Sequence, residues 1–352
     1  FGGSVNNNSE EIKKAEGVIS TKVFLNVSTG KLLVEDDNVL DDIFKASKIV
    51  SVHAEEHMID KAISLAKKHG KKLYIAHISL ATELDAVREA KKTFEDVYVE
   101  VTPHHLFLTE EDAKHNPLLR MKPELKAKSD VEAMWTGIAD GTINTIGTDH
   151  APHLMSEKIE KLTFGIPGVE WALALMLNAV NEGKISLGKV IELYSEIPAK
   201  IFGIKNKGKI EVGYDADFSI IDMDKKWVIK EEDTISKCAW TPYNNWEIKG
   251  SIEATYVRGS KVYEDNKLEQ VRILGGKGKP MATVLVGAAT QEVVGERARI
   301  AKDAASSVQA TVKEGYIAGG GALEIATAQK SKGCERISVG CRLMVLIVLS
   351  ML

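Results

Sequence analysis

Along the first 147 residues, short runs of β-branched and apolar side chains alternate with stretches whose apolar positions recur every three or four residues. The short runs read as strands at 18–25, 49–53, 72–78, 97–102 and 143–147, and the periodic stretches as helices at 39–46, 57–69, 82–93 and 130–139. Such alternation predicts βα units around a parallel sheet, either open and doubly wound or closed into a barrel.

Polar residues at the strand ends choose between the two. Lys22 lies in the first strand, His53 and His77 end the next two, His104 and His105 follow the fourth, and Asp149 ends the fifth. In a barrel all these ends converge on one face, whereas the outer strands of an open sheet stay apart. Five or six strands are too few for a closed eight-stranded barrel, so residues 1–207 are expected to form an incomplete TIM (β/α)8 barrel. Phe1-Gly-Gly-Ser reads as a strand end with its loop, which leads us to expect upstream sequence.

Beyond the barrel, a Pro/Gly loop at 164–170 leads into helices at 171–180 and 187–202. Short strands at 209–212, 218–222, 227–229, 252–257 and 261–263 predict a small β-sandwich domain over 208–270. A Gly/Lys/Pro linker at 271–280 precedes a largely helical segment at 281–328, and an apolar tail occupies 329–352.

Composition narrows the picture by exclusion. A net charge of -4, with no cluster of Lys and Arg among aromatics, gives no footprint for nucleic acid. The apolar tail is too short for a membrane span. Three scattered cysteines fit neither a disulfide framework nor a Cys-based zinc site and agree with a reducing cytoplasm. All nine histidines fall between His53 and His153, so chemistry is expected in the first half.

Each candidate has a bland alternative. His53 and His77 on adjacent strands would place two imidazoles, standard zinc ligands, at a barrel mouth, although a lone His is more often structural. Lys22 either points inward, where it needs a partner or a depressed pKa, or faces outward toward the helices. Asp149 can bind a metal and exchange a proton, or simply cap the turn that follows. His153, beyond Pro152, can point back at a substrate; His104 and His105 read as a supporting pair; His57, His69 and His115 read as solvated.

Taken together, Thr-Lys-Val-Phe-Leu-Asn (21–26), Val-His-Ala-Glu (52–55), Ala-His-Ile-Ser (76–79), Val-Thr-Pro-His-His-Leu-Phe-Leu-Thr (101–109), Gly-Thr-Asp-His-Ala-Pro-His (147–153) and Gly-Ile-Pro-Gly-Val-Glu (165–170) resemble the dihydroorotases of the amidohydrolase superfamily. The likeness runs from residue 1 to about 270. It implies a binuclear zinc site in which carboxylated Lys22 bridges two Zn2+, His53 and His77 hold one metal, and Asp149 binds the other and shuttles the proton. A bridging hydroxide would open the ring amide of dihydroorotate, and the reverse reaction would close N-carbamoyl-L-aspartate in pyrimidine biosynthesis. His153, the Pro167–Gly168 backbone and Lys122 would contact this small-molecule substrate. The family pattern also begins with a His-x-His strand and a substrate-binding Arg, and carries an Asn after the second strand; this sequence has none of them. The chain is therefore expected to show little or no turnover, and its unpaired barrel edge to favour homo-oligomers.

Val-Gly-Ala-Ala-Thr (286–290), Ala-Lys-Asp-Ala (301–304) and Ala-Gly-Gly-Gly-Ala (318–322) resemble a chaperonin 60 fragment, in which Asp303 would activate water for ATP hydrolysis. Alternatives to the dihydroorotase reading are a hydantoinase, dihydropyrimidinase or allantoinase activity, a non-catalytic structural homologue, and a chaperonin-type nucleotide-binding module.

Overall fold

The computed structural model describes residues 1–28, 30–264, 267–268 and 344–346. The linker, the chaperonin-like segment with Asp303, and nearly all of the apolar tail lie outside these residues.

Helix α1 (Ser9–Lys14) precedes the first βα units. These run β1 (Thr21–Phe24), α2 (Asp37–Ala46), β2 (Ile49–His53), α3 (His57–His69), β3 (Lys72–Ile75), α4 (Ala81–Lys91) and β4 (Val97–Val101). Helices α5 (Pro103–Phe107), α6 (Glu110–His115) and α7 (Lys128–Ala139) follow, before β5 (Thr145–Ile146) and α8 (Met155–Glu160). The strands pair in parallel in the order β1-β2-β3-β4-β5. This sequential, all-parallel order is that of a barrel wall rather than of a doubly wound sheet, whose order reverses at a switch point. Phe1–Gly3 runs alongside β1 as a fragment of strand, with Gly3 N donating to Lys22 O at 2.8 Å and Lys22 N to Phe1 O at 2.7 Å.

Alternation along the strands separates two environments. Val23, Val50, Val52, Leu73, Ile75, Val97, Val99 and Val101 are buried in one core together with Leu40, Ile43, Phe44, Ile59 and Leu84 from the helices. On the other face, register sets Lys22 beside Ser51, Ser51 beside Tyr74, and Tyr74 beside Tyr98. Helix ends follow local chemistry: Asp36 caps α2 by accepting from Asn38 N and Val39 N, and Gly70 ends α3 in the left-handed conformation that a side chain would resist.

The expected helix at 187–202 forms in three pieces: α10 after α9 (Ala172–Asn181), then a π-helical turn, then α11. Their bounds are Leu187–Ile191, Glu192–Glu196 and Ile197–Phe202. Pro198 lacks the amide that would bond four residues back, so the ladder slips to the wider turn there. Helix α11 packs on the polar face at Tyr74, with the Phe202 ring tilted against it at 5.0 Å.

The small β domain is one antiparallel sheet, not two packed sheets, among the described residues. Its order is β10-β6-β7-β8-β9, from β6 (Phe218–Val228), β7 (Glu247–Val257), β8 (Ser260–Glu264), β9 (Lys267–Leu268) and β10 (Met344–Leu346). The layer packed on it is α9: Asn181 Nδ2 donates to Met223 O and Lys249 O, each at 3.0 Å, and a Cβ on Gly250 would lie 2.7 Å from Leu177 Cβ. Two expected strands, 218–222 and 227–229, are halves of β6, joined through a register shift between Asp222 and Lys226 that absorbs the polar Asp-Lys-Lys run. The expected strand at 209–212 is a turn. Gly208 and Gly213 flank it with positive φ, and Ile210 and Val212 stay exposed.

Candidate active site

At the strand ends a cavity of about 190 Å³ is lined by Lys22, Phe24, Ser28, Leu32, His53, His77, Lys122, Asp149, Ala151, Phe164 and Gly165. Five of the eight residues picked out in the sequence thus meet on one space: Lys22, His53, His77, Asp149 and Lys122. The inward orientation of Lys22 resolves the alternative left open by its pattern. Pro167 and Gly168 are buried beside the cavity but do not line it, and neither does His153. The His153 carbonyl accepts from Trp240 Nε1 at 2.8 Å, and its Nδ1 sits 3.9 Å from Glu157.

His53 and His77 stand with ring centroids 4.7 Å apart and His53 Nδ1 2.9 Å from His77 Nε2. The remaining nitrogens, His53 Nε2 and His77 Nδ1, are buried without a hydrogen-bond partner. Glu55 Oε1 approaches the former only to 3.4 Å. Two nitrogens bound to one tetrahedral zinc at about 2.0–2.1 Å are roughly 3.3 Å apart, close to the spacing of this pair. The facing nitrogens, His53 Nδ1 and His77 Nε2, thus stand at about the spacing of two donors to one metal. Among the described residues no group of three or more His, Cys, Asp or Glu side chains is gathered tightly enough for a metal.

Burial pushes the Lys22 pKa down, against the opposing pull of Glu100 and Asp149. Asp149 opens onto the cavity mouth, yet the surrounding protein still pushes its pKa up, while Lys22 and His53 draw it back. Burial, reinforced by Lys22, drives the His77 imidazole well below its ordinary pKa and keeps it neutral, the state a ligand needs.

The residue that the sequence reading missed is Glu100. Its Oε2 accepts from Tyr74 OH at 2.6 Å and its Oε1 from His77 N at 3.2 Å. Desolvation raises its pKa, and the Tyr74 hydrogen bond and Lys22 lower it. A Glu in Val-Tyr-Val-Glu-Val reads as the outward side of a strand, and only the fold shows that this side faces the cavity.

The other histidines divide as follows. His150 Nδ1 accepts from Gly168 N at 3.1 Å and from Val169 N at 3.2 Å, so the ring pins the 164–170 loop. The same loop is tied to the small β domain, where Glu170 accepts from Ile235 N at 2.7 Å and Ser236 N at 2.8 Å. Lys158, which is buried, donates to the carbonyls of Arg120, Thr163 and Gly165 and so joins the loops carrying Lys122 and Phe164. His69 is not solvated as expected: its ring is mostly buried, with Nε2 2.7 Å from Asp41. His57 and His115 are exposed.

His104 and His105 are the expected supporting pair. His105 Nδ1 meets Thr102 Oγ1 at 2.8 Å, and its Nε2 meets Pro123 O at 3.3 Å, next to Lys122. Burial holds the His105 pKa at about 4 and that of His104 well below the ordinary value. Because the unfolded chain takes up protons near pH 6.5 and the folded one does not until about pH 4, stability is lost as pH falls through that window. His105 alone should make the protein about 2 kcal/mol less stable at pH 5 than at pH 7. Urea midpoints at the two pH values measure this, and equal midpoints would show that the imidazoles titrate normally.

Comparison with known proteins agrees with this geometry. The amidohydrolase family profile matches residues 25–262, more than half of the chain, and the TCP-1/cpn60 chaperonin family profile matches residues 248–333. The dihydroorotase of Pyrococcus furiosus is 38% identical over 263 residues, covering 70% of this chain and 62% of that protein. For the dihydroorotase of Pyrococcus abyssi the figures are 41%, 70% and 63%. The chain thus spans about three-fifths of the length of these relatives. Among solved structures, the L-hydantoinase (dihydropyrimidinase) of Arthrobacter aurescens superposes with a TM-score of 0.72 at 26% identity, over 76% of this chain and 70% of that one. The dihydropyrimidinase of Brevibacillus agri, at 24% identity and a TM-score of 0.68 over 76% of this chain and 69% of its own, shares the fold.

Proposed function

Because the chain belongs to the amidohydrolase family, we propose that its cavity is that of a dihydroorotase-like cyclic amidohydrolase, interconverting L-dihydroorotate and N-carbamoyl-L-aspartate. The convergence of Lys22, His53, His77, Asp149 and Lys122 on one cavity carries this reading. Identity to dihydroorotases, rather than to hydantoinases, supports the choice of substrate.

His53 and His77 would hold zinc through their facing ring nitrogens. Lys22 joins them as a carbamate: its amine, made available by burial, attacks the carbon of carbon dioxide and releases one proton, which gives a carboxylate in place of a cation. The bound metal supplies Lewis-acid polarisation of the ring amide and an ionised water at neutral pH. Asp149, at the mouth, takes the proton from the attacking water. It then delivers that proton to the ring nitrogen as the carbon–nitrogen bond breaks, leaving a carboxylate and a ureido group. Lys122 offers a cation to the anionic substrate, in competition with Glu124 at 2.9 Å.

Among the residues lining the cavity, His53 and His77 are the only imidazoles. With zinc and bicarbonate supplied, the purified chain should open L-dihydroorotate roughly a hundredfold or more below the usual enzyme range of about 1–10³ per second. It should still prefer that ring to hydantoin. Faster opening of hydantoin would overturn the substrate; zinc-free protein with no ring opening would leave a non-catalytic homologue.

A further inference from the structure

We propose that Glu100 is the positioning residue of the cavity, bracing the ends of three strands so that His77 and Asp149 face Lys22 and His53. The proposal rests on the site described above for the identity of the ligands, but the brace itself is read from geometry. From the end of β4, the Glu100 carboxylate reaches in two directions. Oε1 accepts the backbone N–H of His77, just past β3, at 3.2 Å. Oε2 accepts from Tyr74 OH within β3 at 2.6 Å, and that hydroxyl also meets Thr145 Oγ1 of β5 at 2.7 Å. Asp149 lies four residues beyond Thr145.

Two backbone features make sense only with this carboxylate in place. His77 has φ +43°, a left-handed conformation that a His side chain disfavours, at the residue whose N–H Glu100 accepts. Gly147, on the way from β5 to Asp149, has ordinary φ, but a Cβ there would fall within the Glu100 carboxylate. Its missing side chain is the space that the brace fills. Asp149 itself has φ +43°, so both candidate ligands flanking the brace sit on strained turns.

The test separates brace from charge. In Glu100→Gln, the amide oxygen can keep the His77 N–H, and the amide nitrogen can donate to Tyr74, because the Tyr74–Thr145 hydroxyl pair can reverse its direction. Glu100→Ala removes both arms, and Tyr74→Phe removes one. Amide hydrogen exchange of the metal-free chain, read at His77 and across 145–149, should be unchanged within about threefold in the Gln variant. It should be faster by tenfold or more in the Ala variant, and intermediate in Tyr74→Phe, while amides of α2 and α3 keep their protection. Zinc affinity should fall in the same order. Exchange at His77 that is unaffected by Glu100→Ala overturns the proposal, and so does a Gln variant as damaged as the Ala variant. Should the Ala variant not fold, the Gln and Tyr74→Phe pair decides by the same readout. A wild-type chain that binds no zinc would overturn the metal reading, yet the exchange arm would still judge the brace.

Discussion

Replacing His77 by alanine should weaken zinc binding by at least about a hundredfold, read as the zinc dissociation constant in competition with a chromogenic chelator. The size follows from how little else is there. His53 and His77 are the only histidines lining the cavity, they face each other at 2.9 Å, and no trio of His, Cys, Asp or Glu is gathered for a metal among the described residues. Removing one imidazole leaves His53 as the single ring-nitrogen donor lining the cavity. His53→Ala should behave alike, and His105→Gln, which touches only Thr102 and the Pro123 carbonyl, should leave zinc affinity within about threefold. Equal affinities for the wild type and the His77 variant would place the metal elsewhere or nowhere.

Lys158→Met should cost about 3 kcal/mol of folding stability in urea unfolding, with little change in the slope. The ammonium sits among three backbone carbonyls, of Arg120, Thr163 and Gly165, and has almost no contact with water. Burial, then the neighbouring Arg120 charge, hold its pKa down to about 8, so at pH 7 it is still charged and still a triple donor. Methionine fills a similar volume but leaves all three carbonyls without a donor, each worth about 1–3 kcal/mol when buried and unpaired; relief of the charge's own desolvation offsets part of that sum. The effect should also reach the cavity, because Gly165 and Phe164 line it and Arg120 stacks on Phe164 at 4.6 Å. A loss below about 1 kcal/mol would mean that these carbonyls find other donors.

Much of the barrel was legible because its signals are local. Alternation, Gly70 after α3 and the apolar faces of α2 and α3 mark elements whose limits depend on a few neighbouring residues. His53, His77 and Asp149 stood out for a similar reason, each being a polar residue at the end of an apolar run, and Lys22 as a charge within one. Glu100 did not, since its partners, Tyr74 at 26 residues' separation and Gly147 beyond β5, are brought together only by strand pairing. Pro167 and Gly168 were read as substrate contacts because the resemblance placed them there, and His153 also from its position beyond Pro152; the route of their loop depends on Trp240, Glu170 and His150, which no local pattern connects. The small domain misled through β6, where a polar run reads as a turn but is absorbed as an irregularity in one long strand.

Trp240 and the Ile235–Ser236 amides hold the His153 and Glu170 segments from the far side of the composition change near residue 208. That change looks like a natural seam, a place where a gene could be cut and the pieces shuffled independently. It is not one. A recombination event at 207 would leave every residue that lines the cavity on one side and the restraints on its neighbouring loops on the other. Barrel and sheet therefore depend on each other across residue 207.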